Sequence, residues 1–166
     1  PLYDFRAGID SISISGHKFI GAPIPCGVVI ARKDNVNRIA RSVEYVGVLD
    51  TTLSGSRNGI TPLMLWYAIR TLGHDGFRDL VERCIENARY ATEKLRAIGV
   101  EAWRNEHAIT VVFPRLPREI MEKWQVAVYG PIAHIIMMPD RTREQVDGLV
   151  ADLERARAAQ RNGVPQ

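Results

Sequence analysis

From Phe77 to Ile98 the apolar residues Phe77, Leu80, Val81, Cys84, Ile85, Ala88, Ala91, Leu95 and Ile98 recur at helical spacing, and Gly99 closes the run. A helix of this length measures roughly 30 Å, the width of a small domain, and a position between two lobes, as a domain connector, is natural for it. The flanking patterns differ, as expected of such a connector. Before it, Ile9, Ile12 and Ile14 alternate with serines as in a half-buried strand ending at Ser15-Gly16. A Gly/Pro-rich passage (Gly21, Pro23, Pro25, Gly27) leads to Val28–Ala31, a buried strand by its unbroken apolarity. Asp34 is expected to cap a short helix to about Arg41, and 43–59 reads as a long functional loop. Thr61-Pro62 is expected to start a helix that buries Leu65, Trp66, Ile69 and Leu72 and breaks at Gly73 to Gly76.

After the connector come short elements. Val100–Trp103, Thr110–Phe113 and Ala133–Met138 read as strands, and Arg118–Trp124 as a helix. Thr142 and Gln145 form a capping box, opening a helix that buries Val146, Leu149, Val150 and Leu153. The polar tail from Arg155 is expected to fray. Trp66, Trp103 and Trp124 read as core, His74 as a turn residue and His107 as a loop residue. Three segments result: 1–76, 77–158 with the connector and a small α/β domain, and a flexible 159–166.

With 166 residues, 46% hydrophobic, the chain can bury the cores of one domain or two small ones. Its net charge of +3 raises the question of nucleic acid, but acids interleave with the bases, as in Arg78-Asp79, Glu82-Arg83 and Glu93-Lys94. No one-signed stripe with stacking aromatics exists, so no nucleic-acid partner is expected. Cys26 and Cys84 are isolated, which argues against a disulfide framework or a metal site and fits a reducing compartment. No apolar run reaches the roughly 20 residues of a membrane span, so no membrane partner is expected and the cytoplasm is the default. The chain starts at Pro1 and enters a strand almost at once, as a piece of a longer protein would.

Chemistry concentrates at Ser15-Gly16-His17-Lys18, where a strand ends before a stretch forced into turns. On spacing alone Lys18 is a solvated surface charge. An amine on a rigid element, with an imidazole and a hydroxyl beside it, is also what covalent capture of a phosphorylated aldehyde requires. A second candidate is Ser54-Gly55-Ser56-Arg57-Asn58-Gly59, small residues that let backbone N–H groups approach an anion or simply make a turn. A third is His134, alone on an apolar strand between Ile132 and Ile135, a position that suits a core histidine as well as a ligand.

The string SISISGHKFIGAPIPCGVV resembles the cofactor-lysine region of bacterial histidine decarboxylases that use pyridoxal phosphate, and is similar to that of plant serine decarboxylases. The likeness continues in order through TTLSGSRNG (51–59), LMLWY (63–67), NEHAITVVF (105–113) and Ala133-His134 near Met138-Pro139. It implies an aspartate-aminotransferase-like α/β fold (fold type I), present here as the end of the large domain and the C-terminal small domain. It implies pyridoxal 5'-phosphate as cofactor, held as a Schiff base by Lys18, with Ser15 and His17 on the phosphate. By the same resemblance Ser56 reaches a neighbouring active site across a homodimer or higher homo-oligomer, Arg57 is structural or faces substrate, and His134 stands where relatives hold the substrate carboxylate.

The implied reaction is loss of CO2 from an L-amino acid, first of all histidine to histamine, with serine and aspartate as alternatives. The family usually has histidine after Asn-Gly, where this chain has Ile60, so the amino acid stays open. The aspartate for the cofactor's ring nitrogen and the stacking ring are implied to precede residue 1. In that case the apolar surface around Val28 to Ile30 lies uncovered. The rival from another class is a non-catalytic truncated module for binding or dimerisation.

Overall fold

The computed structural model describes residues 5–43, 47–50 and 57–161. They fall into two compact units, Pro1–His74 and Asp75–Gln166.

In the first unit a single 3-10 turn, Phe5–Ala7, precedes β1 (Ser11–Ser15). The alternation expected of β1 is present, with Ile12 and Ile14 partly buried and Ser11 and Ser13 exposed. It pairs antiparallel with β2 (Gly27–Ala31) in a register that sets Ser15 opposite Gly27. The expectation that β2 is buried fails, since Val29 is 70% and Ile30 48% exposed. The sheet has only two strands, and no described layer covers its outer face.

Helix α1 (Lys33–Ile39) starts one residue before the expected cap, so Asp34 sits in its first turn, where an acid still favours the helix dipole. Arg32 takes the N-cap position without capping by its side chain. Its guanidinium instead donates to the carbonyls of Phe5 and Ile9. A strand pair falls where the long loop is expected to begin: β3 (Arg41–Val43) pairs antiparallel with β4 (Val48–Asp50), and Gly47 takes a positive φ of 68° just before β4.

Helix α2 (Ile60–Ala97) is capped not by Thr61 but by Asn58, whose Oδ1 accepts the Thr61 N–H at 2.9 Å and the Thr61 hydroxyl at 2.7 Å. Pro62 is tolerated because first-turn N–H groups lack helical partners anyway. The predicted buried face does not form: Trp66 is 58%, Ile69 51% and Leu72 37% exposed, and Leu65 is partly buried. No described residue of the first unit covers this face. Gly73 (φ 61°, ψ −171°) alone interrupts the helix, a conformation that a side chain would oppose. Gly76 and His74 are helical, which corrects the longer break and the turn assignment.

The second unit holds the core. Along α2, Cys84, Ala88, Ala91 and Leu95 are buried as the periodicity predicts, whereas Val81 is 38% exposed. Burial pushes the Cys84 thiol pKa up. The helix ends in a Schellman motif: the Gly99 N–H donates to the Arg96 carbonyl and the Val100 N–H to that of Leu95, with Gly99 at φ 75°.

Strands β5 (Thr110–Pro114), β6 (Ala127–Tyr129) and β7 (Ile132–Ile136) form an antiparallel sheet in the order β5-β7-β6. Strand β6 is an addition to the sequence reading. The predicted strand at 100–103 reduces to one bridge, Trp103 to Val112, with reciprocal 2.8 Å hydrogen bonds. Helix α3 (Arg118–Trp124) has the expected bounds, and α4 (Arg143–Arg161) packs with it over the sheet. Phe113, Val111, Leu95 and Leu153 are essentially inaccessible, and burial of such side chains contributes about 1.5–3 kcal/mol each.

The capping box of α4 is present: the Thr142 N–H donates to Gln145 Oε1 at 3.0 Å, and the Gln145 N–H to Thr142 Oγ1 at 3.3 Å. The tail does not fray from Arg155, because Ala156 enters the core and Arg157 donates to the Ile98 carbonyl. Trp124 packs on the core and donates to Asp152 at 2.9 Å, whereas Trp103 is 49% exposed and, like Trp66, is no core residue. No helix among the described residues is long and apolar enough to cross a membrane.

Candidate active site

Ser15, His17 and Lys18 lie together where β1 ends. The turn that follows is tied by the chain itself: the Lys18 N–H donates to the Ser15 carbonyl at 3.3 Å, and the Gly21 N–H to the Lys18 carbonyl at 3.0 Å. Both backbone groups of Lys18 are thus engaged while its side chain stays exposed. No described carboxylate forms an ion pair with it.

Gly16 anchors the turn from inside. It is buried, donates its N–H to the Cys26 carbonyl at 3.0 Å and accepts the Ala22 N–H at 3.0 Å. A Cβ built at Gly16 would stand 2.6 Å from Cys26 Sγ and 3.0 Å from Leu65 Cδ2, so no side chain fits there. The imidazole of His17 turns back onto the same neighbour, with Nδ1 3.0 Å from both the nitrogen and the oxygen of Cys26. Cys26 contributes to this site, and the sequence reading passed over it. The signal lies in the register, since pairing of Ser15 with Gly27 makes Gly16 and Cys26 the next rung.

Ser56 lies outside the described residues. Arg57 is exposed immediately before the Asn58 cap of α2. His134 belongs to the second unit, midway along β7, opposite Val112 of β5 and Ala127 of β6 and partly buried. Beside it opens a cavity of about 330 Å³ walled by Trp124, Ile136, Met137 and Leu149, with Arg141 and Gln145 supplying further polar groups. Arg141 is the cation there, and the sequence reading did not select it.

An exposed lysine on a pinned turn, next in the chain to an imidazole and three residues from a hydroxyl, with a glycine that admits no side chain between them, suits a phosphorylated aldehyde in the chemistry of its donors. Solved structures agree on the class. The chain superposes on the L-methionine decarboxylase of Streptomyces sp. 590, solved with L-methionine methyl ester, at a TM-score of 0.73 and 32% identity, covering 89% of this chain and 32% of that one. A glutamate decarboxylase of Lactobacillus brevis gives 0.75 at 21% identity over 95% of this chain and 42% of that one, a likeness of fold alone. The architecture is therefore that of the fold type I pyridoxal-phosphate enzymes, as the sequence resemblance implied.

The pyridoxal-dependent decarboxylase conserved domain matches residues 6–116, and the chain belongs to that family. Among its relatives, a histidine decarboxylase of Mesorhizobium japonicum is 48% identical over 150 residues, 90% of this chain and 40% of the relative. Serine decarboxylase 1 of Oryza sativa subsp. japonica is 42% identical over 159 residues, 95% of this chain and 33% of the relative. The chain thus spans 40% or less of the length of these two relatives.

Proposed function

We propose that the protein carrying this chain removes CO2 from an L-amino acid with pyridoxal 5'-phosphate, and that its substrate is histidine, giving histamine. The observation that carries this reading is the exposed Lys18 on a turn pinned by backbone hydrogen bonds, two residues after the tightly packed Gly16 and inside the segment matched by the decarboxylase domain. Lys18 is the residue that holds the cofactor covalently. The Ser15 hydroxyl and the His17 ring donate to its phosphate, and Ser56 adds a donor from the neighbouring subunit of a homodimer. When bound, the cofactor supplies an electron sink for the pair left behind as CO2 departs.

Arg57 and His134 are assigned to the substrate side. Histidine is preferred because its decarboxylase has the higher identity of the two relatives, 48% against 42% for the serine enzyme. The large-domain piece is taken as 1–76, the connecting helix with the small domain as 77–158, and the protein as cytoplasmic. The test is borohydride reduction of the full-length protein with its cofactor, followed by peptide mapping and by CO2 release from histidine, serine and aspartate. The label should fall on Lys18 and disappear in Lys18→Ala together with turnover. A label on another lysine removes the assignment, and faster release from serine or aspartate replaces histidine as substrate.

A further inference from the structure

The β1–β2 ladder stops at Ser15–Gly27, yet the next rung is not left open. On one side the Gly16 N–H donates to the Cys26 carbonyl at 3.0 Å. On the other, the Cys26 N–H donates not to a backbone carbonyl but to the imidazole Nδ1 of His17, at 3.0 Å. The ring therefore stands in for a strand carbonyl and continues the ladder by one rung.

Nδ1 also lies 3.0 Å from the Cys26 oxygen, so geometry alone allows the ring to donate or to accept. Counting partners decides between the two. The Cys26 oxygen already has a donor in Gly16, whereas the Cys26 N–H has only the ring. A proton on Nδ1 would set two donors face to face and leave the amide only solvent as an acceptor. A lone pair on Nδ1 satisfies both groups. In the neutral ring the proton then belongs on Nε2.

We infer that Cys26 is a positioning residue, whose backbone N–H fixes His17 as the Nε2–H tautomer and so leaves its distal nitrogen as a ready donor to the anionic group held beside Lys18. The anion's identity as the cofactor phosphate rests on the reading proposed above; the tautomer does not. The Cys26 thiol is not the agent. Its part is to fill the space against Gly16, where a Cβ would come within 2.6 Å of Sγ.

The experiment uses the purified full-length protein freed of cofactor. Long-range ¹H–¹⁵N spectra of the histidine rings, assigned with His17→Gln, should show an unprotonated Nδ1 and a protonated Nε2 for His17, unchanged in Cys26→Ala. A protonated Nδ1, or averaging between tautomers, overturns the inference. Two variants split the roles, because Asn places an acceptor near Nδ1 while Gln places a donor near Nε2. In His17→Asn the Cys26 amide should keep its protection from hydrogen exchange, while the Kd for pyridoxal phosphate rises about tenfold or more as a donor to a charged group is lost. In His17→Gln that amide should exchange about five- to tenfold faster. Equal exchange in both variants, or a Kd unchanged in His17→Asn, counts against it. Failure of borohydride to mark Lys18, with the tautomer intact, strikes only the functional reading.

Discussion

At the scale of single residues, the second unit turns on Asp152. Its side chain is nearly inaccessible, yet it accepts from Lys123 Nζ at 2.7 Å, from Arg155 and from Trp124 Nε1 at 2.9 Å. Lys123 first, then Arg155 and Trp124, hold its carboxyl well below the usual carboxylate range. A depressed folded-state pKa contributes stability that is complete above the unfolded value of about 3.9 and is lost as pH falls below it towards the folded value. The urea midpoint of the protein should therefore fall on acidification below about pH 4, and less steeply in Asp152→Asn. Parallel curves for the two proteins would show that other carboxylates set the acid limit. Asp147 acts in the same direction through Tyr90 (2.6 Å) and Lys94 (3.1 Å), so Asp152→Asn should flatten the limb without abolishing it.

Among the elements, the contact of α3 with α4 is made by Trp124 lying over Gly148. A Cβ at Gly148 would stand 2.8 Å from Trp124 Cη2 and 3.2 Å from Cζ2. The indole cannot slide away without losing its bond to Asp152. Gly148→Ala would gain about 1 kcal/mol of helix propensity but suffer overpacking of about 1–3 kcal/mol. A net loss of roughly 1 kcal/mol is expected, seen as a lower melting temperature. In a Trp124→Leu background the same change should become stabilising, and an unchanged sign would refute the contact as its cause.

This clash was invisible in the sequence, whereas the capping box at Thr142 and the stop at Gly99 were plain, because caps depend on residues three to five apart. The same limit explains the site. Ser15, His17 and Lys18 are neighbours in the string, but Cys26 joins them only through strand register. Periodicity marked the apolar face at Leu65, Trp66, Ile69 and Leu72 without saying what covers it, and so misjudged its burial.

For the whole molecule, the two units differ in how much they bury. The second has a contiguous core from Ala88 to Ala156. Among the described residues of the first, those buried besides Gly16 are Ala22 and Thr61, while Val29, Ile39, Leu49, Leu63, Trp66 and Tyr67 are each more than half exposed. Exposed apolar surface of this extent drives association. If Ser56 serves a neighbouring subunit, mixing inactive Lys18→Ala and Ser56→Ala forms of the full-length protein should restore activity, since one site of each mixed dimer carries neither change. No recovery from dimers shown to be mixed would return Ser56 to its own subunit.

The 166 residues by themselves should behave differently. By the reading proposed above, Ser15, His17 and Lys18 meet the phosphate, while Asp10, beyond the far end of β1 and 4.0 Å from Arg32, is not assigned to the ring nitrogen. If the ring-nitrogen partner and the stacking ring belong to the rest of the protein, as the resemblance implies, the isolated chain lacks a charge-assisted bond of about 1.5–3 kcal/mol and a stacking face of about 0.5–1.5 kcal/mol. It should then bind the cofactor roughly a hundredfold or more weakly. It should also associate through its first unit and release no CO2. Titration with pyridoxal phosphate, light scattering and a CO2 assay with histidine check the three outcomes. CO2 release by the purified 166-residue chain would mean that the groups assigned to the rest of the protein are already present within it.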